Sequence, residues 1–447
     1  VRIRVRALIL GLALGLLTSM IPGLLPETRC ETVIDIFGPS IPRFPVGIFP
    51  FRTPSPSVEE RTLSQEARRI LTKDLTIAGF FEILDTSQAL ADPFREGFGR
   101  RQIDWKVLDY LGADIVVGGT LRVEPPWIRW EVRVYDQPRR RMAFGKVYRG
   151  RPQDIRLMVH RFVDELIRVY TGSPGIFQTR IAFLSKRSGN KEIYLTDPDG
   201  ENVRPLTQDR TIHLSPAWSP DGEELTFISY QGAHTYLYSM DLRSGTRRIL
   251  SARENLNGPA SWAPDGQRLA TTLSIHGNPE LYLIDRRGTV LQRLTVHPGI
   301  DVSPTWSPDG RFLAFVSNRA GGPQIYLLEL ATGKIRRLTY EGKYNTDPDW
   351  SPRGDRIAFS AMIDGNYEIC TIKPDGTEFY QLTDSPADDE APSWSPDGRY
   401  LAFSSTRSGS SQIHIMLYNG ENPQQITRLP GAQTSPVWSP WLKQVEP

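Results

Sequence analysis

Cysteine is nearly missing from this 447-residue chain, which has only Cys30 and Cys370, too few for a disulfide framework. Histidine is scarce as well: His160, His213, His234, His276, His297 and His414 are dispersed, mostly in expected loops and strands, with no His-Glu-x-x-His and no close pair to hold zinc. Gly-x-Ser-x-Gly does not occur, which removes the nucleophile elbow of a hydrolase, and neither does the phosphate-cradling Gly-x-x-x-x-Gly-Lys. An excess of one charge is also lacking. With 53 basic and 51 acidic side chains the formal net charge is +2, so nothing marks a nucleic-acid binder. One apolar run stands out, residues 7–17 extending weakly to Leu25, after Arg2, Arg4 and Arg6 and before Pro26. A span needs about 20 apolar residues, and Pro22 interrupts this run, so residues 1–29 read as a secretory signal peptide and the chain as exported. Cys30 then falls near the processing site, and Cys370 is expected to be a small core residue.

What the chain has in plenty is one repeated stretch, built like Ser303-Pro304-Thr305-Trp306-Ser307-Pro308-Asp309-Gly310. Trp218, Trp262, Trp306, Trp350, Trp394 and Trp438 follow one another at intervals of 44 residues. A period in the low forties with turn residues and short apolar runs is the mark of a β-propeller with four strands per blade. Each unit reads as a tryptophan strand, an Asp-Gly hairpin, a Leu-Ala-Phe strand, an Ile-Tyr strand, a Gly hairpin and a Leu-Thr strand. The run at Ile181 has no tryptophan strand before it and Trp438 has no hairpin after it. The strand around Trp438 is therefore expected to complete the sheet begun at Ile181, closing a six-bladed ring over residues 179–440 with no open edge. Each tryptophan is expected to pack between blades. A short tail, residues 441–447, follows.

Upstream, residues 30–45 form a Pro/Gly-rich segment expected to be mobile, and residues 46–171 a small α/β domain. Leu63, Ala67, Ile70, Leu71, Leu75 and Ala78 at spacings of three and four predict a helix ended by Gly79. Ile155, Val159, Phe162, Val163, Leu166, Ile167 and Tyr170 predict another, and residues 104–111 a short one. Strands are expected at residues 46–51, 80–84, 115–119, 130–135 and 142–148. Residues 172–178 link this domain to the ring.

These features together resemble the TolB family of the Tol-Pal cell-envelope system, and the resemblance covers essentially the whole length. Its most specific elements are Arg43-Phe44-Pro45-Val46-Gly47-Ile48-Phe49-Pro50-Phe51 and the terminal Ser435-Pro436-Val437-Trp438-Ser439-Pro440. Departures are Pro352-Arg353-Gly354 in place of Pro-Asp-Gly, Ala260 in place of the usual proline, and an atypical processing site. The resemblance implies a non-enzymatic, monomeric periplasmic coupling protein without cofactor, metal, nucleic acid or small-molecule substrate, supporting outer-membrane integrity and envelope constriction during division. The alternative reading is a secreted propeller that binds or cleaves carbohydrate or peptide.

Partner sites follow from the ring. Propellers bind at the mouth, where chain enters the innermost strands, here residues 213–216, 257–259, 301–304, 344–348, 388–392 and 433–436. In the resembling family this face receives the peptidoglycan-associated lipoprotein Pal, which by position implicates His213, Ser215, Asn257, Gly258, Asp301, Ser303, Asn345, Thr346, Asp347, Asp389, Glu390 and Thr434. The resemblance likewise implies that residues 31–43 bind the C-terminal domain of TolA, an inner-membrane protein. Val33, Ile34, Asp35, Ile36 and Phe37 are the candidate contacts. Four of them are apolar in a stretch that cannot form its own core, so docking on this chain or release to a partner, or permanent packing as a strand, are the readings open. Asp388-Asp389-Glu390 is read as a cation site or a solvated loop, and Arg139-Arg140-Arg141 as a contact for an acidic partner or a plain exposed hairpin.

Overall fold

The computed structural model describes residues 43–55 and 57–442. Its first part is a five-stranded sheet with helices. The elements are β1 (Phe44–Ile48), α1 (Val58–Ala78), β2 (Phe81–Leu84), α2 (Trp105–Leu111), β3 (Ile115–Glu124), β4 (Trp127–Asp136), β5 (Arg141–Gly150) and α3 (Ile155–Thr171). The sheet order is β2-β1-β3-β4-β5. β1 runs parallel to both neighbours, and β3 to β5 form an antiparallel meander. α1 begins where the Ser57 hydroxyl accepts the Glu60 N–H, and it ends at Gly79, whose φ of 74° is the left-handed cap that glycine takes without steric cost. The expected stripes of α1 and α3 are the buried faces of those helices, packed with Val46, Val117, Trp130 and Val132 of the sheet.

Residues 181–438 form six four-stranded sheets. The innermost strands are His213–Trp218, Asn257–Trp262, Asp301–Trp306, Asn345–Trp350, Asp389–Trp394 and Gln433–Trp438, and they define blades one to six in that order. The last pairs with Ile181–Ser185 through Thr434↔Leu184 and Trp438↔Ile181, so the sixth blade is closed by both ends of the ring. Tryptophans bridge blades as the period implied. Trp306 Nε1 donates to the Ser261 carbonyl at 3.1 Å, Trp394 Nε1 to Asp349 at 3.2 Å, and Trp218 Nε1 to Val437 at 3.2 Å across the closure.

The recurring polar residues have local reasons. Just past the outermost strands, and so outside the strand expected at each Leu-Thr, Thr207, Thr295, Thr339, Thr383 and Thr427 use their hydroxyls to accept an N–H of the neighbouring strand. In the Ser-Pro-Asp-Gly hairpins the serine hydroxyl donates to the aspartate, as Ser307 does to Asp309 at 2.6 Å. Where Arg353 replaces that aspartate, Ser351 donates to Asp355 at 2.9 Å, so the hairpin keeps its clasp.

Each innermost strand runs from the mouth to its tryptophan, which places the hairpins on the opposite face. The α/β domain docks on that hairpin face. Asn422 donates to the carbonyls of Thr76 and Ile77 at 3.1 and 3.3 Å, and Trp441 Nε1 to Gly175 at 3.3 Å. One apolar core continues across the junction, from Leu75, Ala78 and Phe80 to Tyr400, Leu417, Ile426 and Trp438.

Candidate functional site

The mouth residues belong to the innermost strands themselves rather than to loops before them, and their positions differ sharply in exposure. First positions are buried: His213, Asn257, Asp301, Asn345 and Asp389 are all 0% exposed. Their polar groups are directed to their own chain. His213 Nε2 lies 3.2 Å from carboxylate oxygens of Glu192 and Asp209, and burial, the largest influence, pulls its pKa down. Asn257 donates to the carbonyls of Thr235 and Arg253, and Asn345 to that of Glu341. Asp301 and Asp389 hold Arg319 and Arg407 at 2.8 and 2.7 Å. These five side chains brace the mouth; they do not face outward from it.

Third positions do face the opening. Ser215, Ser303, Asp347, Ala391 and Ser435 all have φ between 48° and 54°, a left-handed conformation that breaks strand pairing with a bulge. Blade two differs only in backbone conformation, because Pro259 stands at this position and its ring forbids positive φ, yet its pairing slips in the same place, between Asn257 and Ala260. Ser215, Ser303, Thr346, Glu390 and Thr434 are half-buried, Asp347 is exposed, and Gly258 is buried against Thr272.

One position before each innermost strand lies a feature that sequence reasoning missed in part, since Tyr344 fell within an expected stretch while Ile212, Leu256 and Ile300 did not. Ile212, Leu256, Ile300 and Tyr344 are 43%, 38%, 43% and 41% exposed, and they occupy equivalent positions in blades one to four. Val296 and Tyr340, again 44 residues apart, are more exposed still. Their backbones are fixed: the carbonyls of Ile212, Leu256, Ile300 and Tyr344 accept N–H groups from Tyr230, Ser274, Asn318 and Met362 at 2.9 to 3.3 Å. The result is a crescent of large apolar side chains on a rigid rim. Blades five and six carry Asp388 and Ala432 at this position, so the crescent ends there, adjoined in blades four and five by a short acidic arc of Asp347, Asp388 and Glu390. Within that arc burial, and then the charges of Asp347 and Asp388, push the Glu390 carboxyl up. The 44-residue register itself was the signal that could have found these residues.

Asp388, Asp389 and Glu390 do not converge. Alternation along the strand turns Asp389 inward to Arg407, while Asp388 accepts the Tyr367 N–H at 3.0 Å. Arg139 and Arg140 pair with Asp136 and Asp109 of their own domain. His160 lies on the expected helix α3, where it is buried 2.7 Å from Asp74. Val33, Ile34, Asp35, Ile36 and Phe37, with the expected signal peptide and Cys30, lie outside the described residues. Among the described residues no helix is long and apolar enough to cross a membrane.

Comparison with known proteins agrees with this architecture. The profile of the TolB beta propeller domain matches residues 168–442 and that of the TolB amino-terminal domain residues 32–142. The chain is 40% identical over 198 residues to the Tol-Pal system protein TolB of Desulfosudis oleivorans, covering 44% of this chain and 45% of that protein. It is 40% identical over 173 residues to the Tol-Pal system protein TolB of Syntrophotalea carbinolica, covering 39% of each. These alignments take in less than half the length of each curated relative. The crystal structure of TolB from Acinetobacter baumannii superposes with a TM-score of 0.78 at 26% identity, covering 89% of this chain and 97% of that one.

Proposed function

This chain belongs to the TolB family, and from that premise we propose that it is a non-enzymatic coupling protein of the Tol-Pal system in the periplasm. The mouth of the ring docks a Pal-like peptidoglycan-associated lipoprotein, and residues 31–43 bind the C-terminal domain of a TolA-like inner-membrane protein. Joining the two helps hold the outer membrane to the envelope and supports its constriction during division.

The observation that carries the docking reading is the apolar crescent of Ile212, Leu256, Ile300 and Tyr344. Large apolar side chains left exposed at the same place in four successive blades, among polar neighbours, are what an interaction surface would present. Here their backbones are already hydrogen-bonded, so little loop freedom is lost on docking. Ser215, Ser303, Thr346, Asp347, Glu390 and Thr434 add polar contacts from inside the rim, while His213, Asn257, Asp301, Asn345 and Asp389 act by bracing it. Residues 31–43 lead directly into β1, an interior strand of the sheet, on the domain docked to the hairpin face. The mouth and residues 31–43 are separate stretches of the chain, so two partners can be held at once, and a coupling of about 1 to 3 kcal/mol between the sites would let one regulate the other.

Capture of envelope proteins by the full chain tests this. Ile300→Asp should lose the Pal-like protein and keep the TolA-like one, and deletion of residues 31–43 should do the reverse. Retention of both partners by both variants contradicts the assignment.

A further inference from the structure

Beneath the sixth blade, where the α/β domain meets the ring, charged groups converge on one imidazole. His160, 3% exposed on α3, has Nδ1 2.7 Å from Asp74 Oδ2 of α1, and Asp74 is 0% exposed. Its Nε2 faces the sixth-blade hairpin, 3.9 Å from Asp197 Oδ2. The hairpin's Asp199 brings a third carboxylate within 4.8 Å of the other ligand atoms of Asp74 and His160. Arg156, one turn earlier on α3, pairs with Asp197 at 3.3 Å and with Asp199. Arg180, entering the ring, reaches Asp197 at 2.9 Å. Phe177 stacks on the imidazole at 5.9 Å. Farther out, Lys73 of α1 pairs with Glu201 of the hairpin at 3.0 Å, and Asp164 of α3 accepts the Phe177 N–H at 2.9 Å.

With neutral His160 the cluster sets three carboxylates, Asp74, Asp197 and Asp199, against two guanidiniums, and an imidazolium balances it. His160 Nε2 is buried without a hydrogen-bond partner, so the imidazole meets the hairpin through charge at 3.9 Å and not through a hydrogen bond. A metal ion would have to displace the Arg156 guanidinium already seated on Asp197 and Asp199.

We propose that His160 is a proton-dependent clamp between the α/β domain and the ring: as an imidazolium it ties α1 to the sixth-blade hairpin, and on losing its proton it loosens the docking. The sign follows from the neighbours. Burial works against the imidazolium most strongly, yet the hydrogen bond and charge of Asp74, then the charge of Asp199, leave His160 raised above 6.5. Burial pushes Asp74 and Asp164 up to about 6 from 3.8. Asp74 and Asp164 belong to the same domain as His160, so what docking adds is the ring's Asp197 and Asp199 beside the imidazole, and the negative charge they bring favours the imidazolium and makes docking strengthen on acidification. The histidine acts between 6.5 and its raised value. Docking weakens as pH rises through the raised value of His160.

The test uses the full chain, titrating the histidine rings by NMR, with His160→Gln to assign the resonance. Amide hydrogen exchange of residues 74–80 and 176–180, corrected for intrinsic rates, is followed from about pH 6 to about pH 8. The expected result is a His160 midpoint above 6.5, with interface opening rising by up to about tenfold per pH unit across it, the limit for one linked proton. His160→Gln should flatten that rise, and Asp74→Asn should move the His160 midpoint down. A midpoint at or below 6.5, or the same exchange profile in His160→Gln, overturns the clamp. If His160→Gln does not fold, the wild type decides alone, because an opening profile whose midpoint does not coincide with the His160 titration also overturns it.

Discussion

The hydroxyl of Tyr400 donates a 3.0 Å hydrogen bond to the carbonyl of Ala78, joining the fifth blade to the last turn of α1. The final carbonyls of a helix have no partner within it. Here Ile77 and Ala78 receive theirs from Asn422 and Tyr400 of the ring, and Thr76, which already holds the Gly79 N–H, receives a second from Asn422. The propeller thus caps the helix, and docking completes an element that the α/β domain leaves unfinished.

Removing that hydroxyl should be costly. Tyr400→Phe leaves a buried acceptor unsatisfied and should lower stability by about 1 to 3 kcal/mol, read by urea unfolding. A change within about 0.5 kcal/mol, the range of ordinary surface substitutions, would mean that the bond contributes nothing to docking.

The tryptophans should rank by burial. Trp306, 6% exposed and bonded to Ser261, should cost about 3 to 5 kcal/mol as Trp306→Ala. Trp218→Ala, at a half-buried position, should cost less under the same denaturation. The reverse order would contradict packing between blades as their role.

Two hairpin glycines separate backbone strain from close approach. Both have positive φ, 74° at Gly245 and 90° at Gly288. A Cβ on Gly245 meets nothing within 4 Å, whereas one on Gly288 would lie 1.9 Å from the Leu250 carbonyl oxygen. Gly245→Ala should therefore cost only the left-handed penalty of about 1 to 2 kcal/mol, and Gly288→Ala clearly more. Equal melting temperatures for the two variants would show that the strand edge yields freely.

The crescent should lose binding without losing stability. Ile300→Asp is expected to weaken capture of the Pal-like partner by about fivefold or more, as for interface residues worth over 1 kcal/mol, while changing stability by no more than about 0.5 kcal/mol. Leu291→Asp, somewhat more exposed but on an outer strand away from the mouth, serves as the control and should bind normally. Equal losses from both would indicate a nonspecific effect.

By itself the sequence determined whatever depends on near neighbours in the chain. The 44-residue tryptophan period, the unpaired first and last strands, and the apolar stripes of α1 and α3 were all legible, because turn chemistry and side-chain periodicity act over a few residues. Tertiary structure alone decided which of those residues face water. His213 and Ile212 are adjacent, yet one is sealed between Glu192 and Asp209 and the other projects from the rim. The Asp74–His160 contact joins residues 86 positions apart. No local pattern encodes such a meeting, since a buried charge is stable only where distant parts of the chain supply its partners, and those partners are set by how helix, linker and blade pack.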